Sequence, residues 1–250
     1  MMFRSAGVAL LVCAGASALA EGVAWTYRGE QGAEHWAEMR REWALCSKGQ
    51  RQSPIDIVAS QPGPATPLRF DYRPAPLRIV NDGHTVRVRF ASGGHGGSRL
   101  FLGHEALNLQ QFHFHTPGGD KLHGEEFPLG MHFLHKSASG RLVALVLLFR
   151  QGAENPALKA LLPHMPTPGL PEQTLAQVAV DPAQWLPVSK GYYRYEGSLT
   201  APPCTEGVLW LVMKQPLEVS AVQLAALHRL FPDNARPTQP LRGRQVLEMP

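Results

Sequence analysis

The histidine-rich stretch from residue 111 to residue 135 restricts most strongly what this chain can fold into. It holds five of the eleven histidines of the sequence, and two of them alternate with phenylalanines. Because successive side chains of a β-strand point to opposite faces, Gln111, His113 and His115 would share one face and the phenylalanines the other. Such a strand aims two imidazoles at one place and buries an aromatic pair behind them.

A second strand is predicted directly after this one. Residues 116–120, Thr-Pro-Gly-Gly-Asp, are typical of a turn, and the apolar run 127–134 predicts a neighbouring antiparallel strand. His132 and His135 are three residues apart, so only one of them can share a face with the first pair, and periodicity leaves open which. Three neutral imidazoles with a free fourth position are a ligand set of catalytic zinc, although histidines on half-buried strands are more often ordinary structural residues.

Seven short segments, which include the histidine stretch, occur in the order in which α-class carbonic anhydrases carry them. In the stretch between about residue 25 and about residue 245, the chain resembles the bacterial exported members of that family. The matching segments are Glu-His-Trp (34–36), Gln-Ser-Pro-Ile-Asp-Ile (52–57), Asn-Asp-Gly-His (81–84), 111–115, 131–135, Gly-Ser-Leu-Thr-Ala-Pro-Pro (197–203) and Arg-Pro (236–237).

The predicted fold class is α+β and predominantly β. The 22 prolines and 24 glycines favour many short strands and turns over long helices. Convincing helical spacing occurs only at residues 221–231, and a short helix is predicted at 156–162. Strand-like alternation occurs at 77–80, 85–90, 107–115, 127–134, 142–149, 192–195 and 208–214. The resemblance implies a large, twisted, mainly antiparallel β-sheet with short peripheral helices and a metal at the foot of a cone-shaped cleft.

The first twenty residues are typical of a secretory signal peptide. Arg4 supplies an early positive charge, residues 8–12 are apolar, and Ala-Leu-Ala at 18–20 is a small-x-small cleavage site. Lipidation at Cys13 is disfavoured because a bulky valine precedes it. No later stretch supplies the ~20 apolar residues of a membrane span. We therefore expect a periplasmic or secreted protein without a membrane anchor, its mature part, residues 21–250, forming a single domain.

Signal cleavage leaves two cysteines, Cys46 and Cys204. In an exported chain two cysteines most simply form a disulfide, the alternative being two separate buried thiols. Exported members of the family pair cysteines at matching positions. The bond would hold the loop around Thr200 against the segment that precedes Gln52.

The charge of the chain does not indicate a nucleic-acid partner. The formal net charge is +4 and the pI is about 9.1, but no run of basic residues with stacking aromatics occurs. Val-Arg-Val-Arg at 86–89 is interpreted as a solvated strand face. The expected partner is a small molecule, carbon dioxide or bicarbonate, and the chain is expected to be a monomer or a homodimer.

The resemblance implies a zinc enzyme that hydrates carbon dioxide reversibly to bicarbonate and a proton by zinc-hydroxide attack. The family's third ligand falls on His132, so the implied Zn²⁺ ligands are His113, His115 and His132. Thr200 matches the threonine that orients the zinc hydroxide. His84 matches the proton shuttle, although a histidine in this position is otherwise an ordinary turn residue.

Residues around the ligands are also implied by the resemblance. Gln111 would accept a hydrogen bond from His113, and the backbone carbonyl of Asn234 would do so from His115. A hydrophobic wall for carbon dioxide, equally explained as core packing, would consist of Leu134, Ala144, Leu199, Val208 and Trp210.

Two departures from the family pattern concern the residues that support the ligands. Glycines stand at positions 119 and 130, where the family carries glutamates that hold the threonine and the third ligand. We hypothesise that Glu125 or Glu126, in the loop before the third-ligand strand, folds back to replace one of them. The alternatives are a catalytically weak or silent binding protein of the family, or a zinc-dependent esterase. A Ser-His-Asp hydrolase is disfavoured because no Gly-x-Ser-x-Gly motif occurs.

Overall fold

The computed structural model describes residues 24–91 and 97–250. The predicted signal peptide therefore lies outside the described residues. The strands in the described ranges are β1 (Asp56–Ile57), β2 (Gln61–Pro62), β3 (Leu68–Asp71), β4 (Ala75–Asn81), β5 (Val86–Arg89), β6 (Arg99–Leu102), β7 (Glu105–His115), β8 (Lys121–Leu122), β9 (Leu129–Ser137), β10 (Leu142–Gln151), β11 (Gln173–Val180), β12 (Tyr192–Ser198), β13 (Glu206–Met213), β14 (Leu217–Val219) and β15 (Leu247–Met249).

Helices in the same ranges are short. They are α1 (Trp36–Met39), α2 (Leu45–Lys48), α3 (Pro156–Leu161) and α4 (Ala221–Leu230), with 3₁₀ turns at Gly29–Gln31, Arg41–Trp43, Leu162–His164 and Pro182–Trp185. The two longer helices are the two that the sequence predicts, and each begins with a side-chain cap. The Asn155 carboxamide caps α3, and Ser220 with Gln223 forms a capping box at α4. None of the helices in the described part is long and apolar enough to cross a membrane.

One large mixed sheet connects thirteen of the described strands, in the order β11-β4-β5-β7-β9-β10-β13-β12-β15-β2 with β3, β6 and β14 at its sides. Most neighbours are antiparallel, which confirms the predicted fold class. The central pair of β10 and β13 is parallel. The long connection through α3, β11 and β12 lets the chain return in the same direction.

The alternation on β7 has the predicted result. Phe112 and Phe114 are fully buried in the larger core behind the sheet. On the opposite face, β7 and β9 pair in a register that places His113 directly across from His132. The sheet therefore delivers imidazoles from two adjacent strands to one place, as the sequence predicts.

Candidate metal centre

Three histidines form the only group in the described ranges with the geometry of a metal site. One ring nitrogen each from His113, His115 and His132 lies within 4.8 Å of the others. His135 lies on the other face of β9, is fully buried, and its Nε2 is 2.8 Å from the Tyr72 hydroxyl. The choice of His132 over His135, which periodicity left open, agrees with this geometry.

Two of the three imidazoles are held by hydrogen bonds. Nδ1 of His113 is 2.9 Å from Oε1 of Gln111, its neighbour on the same strand face. Nδ1 of His115 is 2.7 Å from the backbone carbonyl of Asn234. Because both partners are acceptors, each Nδ1 carries the proton and each Nε2 keeps its lone pair for a ligand.

The ring nitrogens fit a bound cation such as zinc. Burial lowers the pKa of His115 to about 4. Burial is also the main reason that the pKa values of His113 and His132 lie well below the usual range. All three imidazoles are therefore neutral near pH 7, which is the form that binds metal. Nε2 of His115 and Nε2 of His132 are buried without a hydrogen-bond partner among the described residues, a costly state for polar atoms.

His132 is held differently from the other two. Neither of its ring nitrogens has a hydrogen-bond partner in the part of the chain that the structure describes. Its ring packs instead against Trp210, with the ring centroids 5.2 Å apart and the planes at 87°. In the family pattern a glutamate at position 130 orients this ring, and this chain carries Gly130 there.

A side chain at position 130 has no room in this structure. A Cβ built on Gly130 would lie 2.3 Å from the carbonyl oxygen of Gly118, so the turn after β7 rests directly on β9. Gly119 has φ +89°, a left-handed conformation that side chains disfavour. The glycines at 118, 119 and 130 thus let the turn occupy the space beside His132.

The hypothesis that Glu125 or Glu126 replaces a missing carboxylate is wrong. Glu125 forms two hydrogen bonds with Arg150, of 2.9 and 2.8 Å, and both side chains are exposed. Glu126 is also exposed and lies 2.6 Å from the ammonium group of Lys121. Both carboxylates remain at the surface, where they are solvated and paired.

A buried carboxyl that the sequence analysis missed lies in the same turn. Oδ1 of Asp120 accepts hydrogen bonds from the Tyr195 hydroxyl at 2.8 Å and from the Ile55 amide at 3.1 Å, whereas Oδ2 is buried without a partner. Burial raises the pKa of Asp120 to about 7. Tyr195 stacks on Trp210. An aspartate after two glycines is typical of an exposed turn, so no local signal marks it.

The histidines lie at the base of a cavity of about 260 Å³. Thr200 lines it, and so do all five residues predicted for the hydrophobic wall: Leu134, Ala144, Leu199, Val208 and Trp210. Arg87 lines it as well. Part of the strand face predicted to be solvated therefore lines this cavity.

His84 lies beside a second cavity, of about 560 Å³, which shares Tyr27 with the first. Its imidazole stacks on Trp25 with the ring centroids 3.7 Å apart. Burial lowers the pKa of His84, Asp82 opposes that shift, and Arg87 adds to it. The ring thus lies outside the lining of the metal-site cavity, on the far side of Tyr27.

The disulfide between Cys46 and Cys204 is present. Next to it, the buried Arg236 guanidinium donates to the carbonyl of Cys46 at 2.7 Å and to Oε1 of Gln52 at 2.8 Å. Gln52 in turn donates to the carbonyl of Cys204 at 3.1 Å. The loop that carries Thr200 is thus held against the N-terminal segment by a covalent bond and a buried polar network, as predicted.

Comparison with known proteins gives a consistent result. The sequence profile of the family described as eukaryotic-type carbonic anhydrase matches residues 31–250. A carbonic anhydrase of Klebsiella pneumoniae is 40% identical over 226 residues, which are 90% of each chain. The structure of Photobacterium profundum alpha-carbonic anhydrase has a TM-score of 0.82 and 39% identity, covering 90% of this chain and 100% of that one. The Thermovibrio ammonificans alpha-carbonic anhydrase, solved with the inhibitor sulfanilamide, has a TM-score of 0.83 and 37% identity and covers 90% and 99%.

Proposed function

The chain belongs to the eukaryotic-type (alpha) carbonic anhydrase family, and from this premise we propose that it is a zinc enzyme that hydrates carbon dioxide reversibly to bicarbonate and a proton. One observation carries the proposal. Three neutral imidazoles converge at the base of a cavity whose wall is largely apolar.

His113, His115 and His132 would hold the zinc ion. When bound, zinc makes a water nucleophilic at neutral pH by lowering its pKa from about 15.7 to about 7, the value known for carbonic anhydrase itself. The hydrogen bonds to Gln111 and to the Asn234 carbonyl fix the tautomers of the first two rings. Trp210 restricts the orientation of the third ring by packing.

The cavity wall suits an apolar substrate. Ala144, Val208 and Trp210 are almost fully buried, and the partly buried Leu199 packs against the same cluster. Carbon dioxide has no hydrogen to donate and only weak acceptors, so an apolar surface next to the ligands binds it without competing polar contacts. Because the side chain of Ala144 is small, the cavity is wider at this wall than it would be with a bulkier residue.

Thr200 and His84 would handle orientation and proton transfer. The Thr200 hydroxyl lies in the cavity lining, where it can accept a hydrogen bond from the attacking oxygen and so direct a lone pair at the substrate. A histidine at this position can pass the released proton to buffer, although burial lowers the pKa of His84 in this structure. In this structure its ring stacks on Trp25, so the proton must travel past Tyr27 to reach it.

We also propose that the protein is exported. The disulfide requires an oxidising compartment, and the N-terminal signal sequence would direct the chain to the periplasm or outside the cell. Residues 21–250 would then act as one domain on small molecules, as a monomer or a homodimer.

A weak or silent binding protein of the same family is the second candidate. The observation that favours it is the absence of both supporting glutamates, because His132 has no hydrogen-bond partner in the described ranges and Glu125 and Glu126 are engaged elsewhere. Loss of one such partner costs about 10- to 100-fold in affinity or activity.

Stopped-flow carbon dioxide hydration by the mature, zinc-quantified chain distinguishes the two candidates. We expect one zinc per chain and hydration that sulfanilamide inhibits, with the His115→Ala variant as the inactive control. One zinc per chain without hydration would overturn the enzyme proposal and favour the binding protein. Hydration in weak buffer should also fall in His84→Ala and recover with added imidazole.

A further inference from the structure

Arg87 stands beside the metal ligands on the polar side of the cleft. It lies on β5, directly across from His113 on β7. Side chains that face each other in a strand pair lie on the same face of the sheet, so Arg87 shares its face with His113. Its side chain is 34% exposed, and it lines the cavity that the histidines close at the base.

The cavity continues into an open groove along the same sheet face. The groove has a volume of about 440 Å³, and Arg87, Gln111 and Leu134 line both the groove and the metal-site cavity. Two further arginines, Arg78 and Arg89, complete the basic side of the groove. A molecule that enters the cleft along this path meets guanidinium groups before it meets the imidazoles.

The charges of the groove do not cancel. Glu172 lies 2.6 Å from Arg78 and 3.2 Å from Arg89, so a single carboxylate pairs with both. Asp82 lies 2.9 Å from a terminal nitrogen of Arg87. Three guanidinium groups thus face two carboxylates, and one positive charge remains in excess.

Arg87 is the arginine beside the cleft that has N–H donors available for a ligand. Asp82 is its one acidic partner among the described residues and engages one terminal nitrogen, which leaves the other terminal nitrogen able to donate to a ligand in the cavity. A guanidinium has five N–H donors in a plane that matches a carboxylate. Arg89 shares the strand face but is paired with Glu172 and does not line the metal-site cavity.

We propose that Arg87 forms an oxyanion subsite at the side of the cleft, which takes small carboxylate-type monoanions, bicarbonate among them. The subsite deepens the proposed function, on which it rests for the identity of its natural ligand. It gives the cleft an apolar wall for the neutral substrate and a cationic wall for the anionic product. Arg87 would therefore raise the affinity for bicarbonate and for competing oxyanions.

The first experiment uses metal-free protein, prepared with a chelator, and acetate as the probe. Without zinc, acetate has no metal to bind, so a contact with Arg87 can be observed directly. We expect a saturable acetate-dependent shift of the Arg87 Nε–H resonance in ¹H–¹⁵N spectra, assigned by its absence in Arg87→Gln. No shift up to the concentration at which bulk salt effects begin would overturn the subsite.

The second experiment uses zinc-loaded protein and compares acetate with the uncharged ligand sulfanilamide. We expect Arg87→Gln to weaken acetate binding about tenfold, the effect of one charge-assisted hydrogen bond, and to leave sulfanilamide affinity within about twofold. Arg87→Lys should lie between, because an ammonium group keeps the charge without the planar donor pair.

Arg89→Gln is the matched control because it removes the same charge from the same strand face. Its acetate affinity should equal that of the wild type, and an equal loss in both glutamine variants would show a general field and overturn the subsite. The two proposals fail separately. Zinc-loaded protein that does not hydrate carbon dioxide overturns the enzyme, whereas the Nε–H shift in metal-free protein still supports the subsite.

Discussion

Strands β7 and β9 deliver imidazoles to one site but support them in different ways. On β7, His113 and His115 each have an acceptor within 2.9 Å that fixes the tautomer of the ring. On β9, His132 has no hydrogen-bond partner among the described residues and is confined by the edge of Trp210. Aromatic packing restricts the position of a ring but does not select its tautomer. Hydrogen bonds therefore orient the two ligands on β7, whereas packing alone orients the ligand on β9.

Turn 116–120, which joins the two halves of the site, explains the difference. Gly130 lies so close to Gly118 that no glutamate fits, and the one carboxyl of the turn that is buried, Asp120, bonds to Tyr195 rather than to a ligand. Tyr195 stacks on Trp210, which contacts His132. Support for the third ligand is thus indirect, through two aromatic rings.

Removal of a ligand should have the largest effect. We expect His115→Ala and His132→Ala to retain less than one zinc per chain, because two imidazoles do not complete the site. Elemental analysis after dialysis against a weak chelator measures this, with circular dichroism as the check of folding. A His132→Ala protein that keeps its zinc would show that the ligand on β9 is not needed for zinc binding.

Asp120→Asn should remove a pH dependence of stability. The folded-state pKa of about 7 lies above the ordinary value of 3.8, so the folded state binds the proton more tightly. This tighter proton binding by Asp120 stabilises the folded state fully below pH ~4. The stabilisation, of up to about 4 kcal/mol, is lost as the pH rises through ~7.

Urea unfolding at pH 5 and at pH 8 measures this difference, because all other groups are common to wild type and variant. We expect the wild type to lose stability relative to Asp120→Asn between the two pH values. Equal pH dependence in both proteins would mean that the Asp120 carboxyl is solvated and does not support Tyr195 as described.

Gln111→Ala tests whether the ligands on β7 depend on their hydrogen bonds. Loss of the acceptor frees the tautomer of His113, so zinc affinity should fall about 10- to 100-fold. Competition with a chromophoric chelator measures the affinity, and Asn108→Ala on the same strand is the control that should leave it unchanged. An unchanged affinity in Gln111→Ala would show that β7, like β9, relies on packing alone.

Gly130→Ala should disturb the contact between the turn and β9. The added methyl group meets the Gly118 carbonyl, so the turn or β9 must shift, at a cost of about 1–3 kcal/mol in the free energy of unfolding. Because His132 lies two residues away, zinc affinity should fall as well. Gly124→Ala is the control: its φ of +81° makes it strained, but it has open space around it. A Gly130→Ala protein as stable as the wild type would contradict the tight contact.

The predictions that succeeded from sequence depend on short-range regularities. The period of two places Phe112 in the core and His113 in the cleft, whatever the rest of the chain does. The two predicted helices are also local features, and the structure shows that Asn155 and Ser220 cap them. The resemblance to carbonic anhydrases, carried by short motifs, suggested the roles of His132, Thr200 and the apolar wall; the structure places these residues around one cavity, and their roles stay predictions.

The predictions that failed depend on contacts between distant segments. Glu125 and Glu126 lie close to the third ligand in sequence, but Arg150 and Lys121 hold them at the surface. The pattern of a solvated strand at Arg87 also gave no indication that its neighbour across the strand pair is His113. Neither partner can be inferred from the segment that carries the residue.

The strand faces follow from the sequence alone, because alternation acts over a few positions. The third ligand came from the resemblance to the family, and the disulfide from the count of two cysteines in the mature chain. How each ligand is supported follows from the tertiary structure. It placed a buried carboxyl at Asp120, a guanidinium at Arg87 and the ring of His84 against Trp25. Burial and charge pairing depend on which segments meet in space, and that is a property of the whole sheet rather than of any one strand.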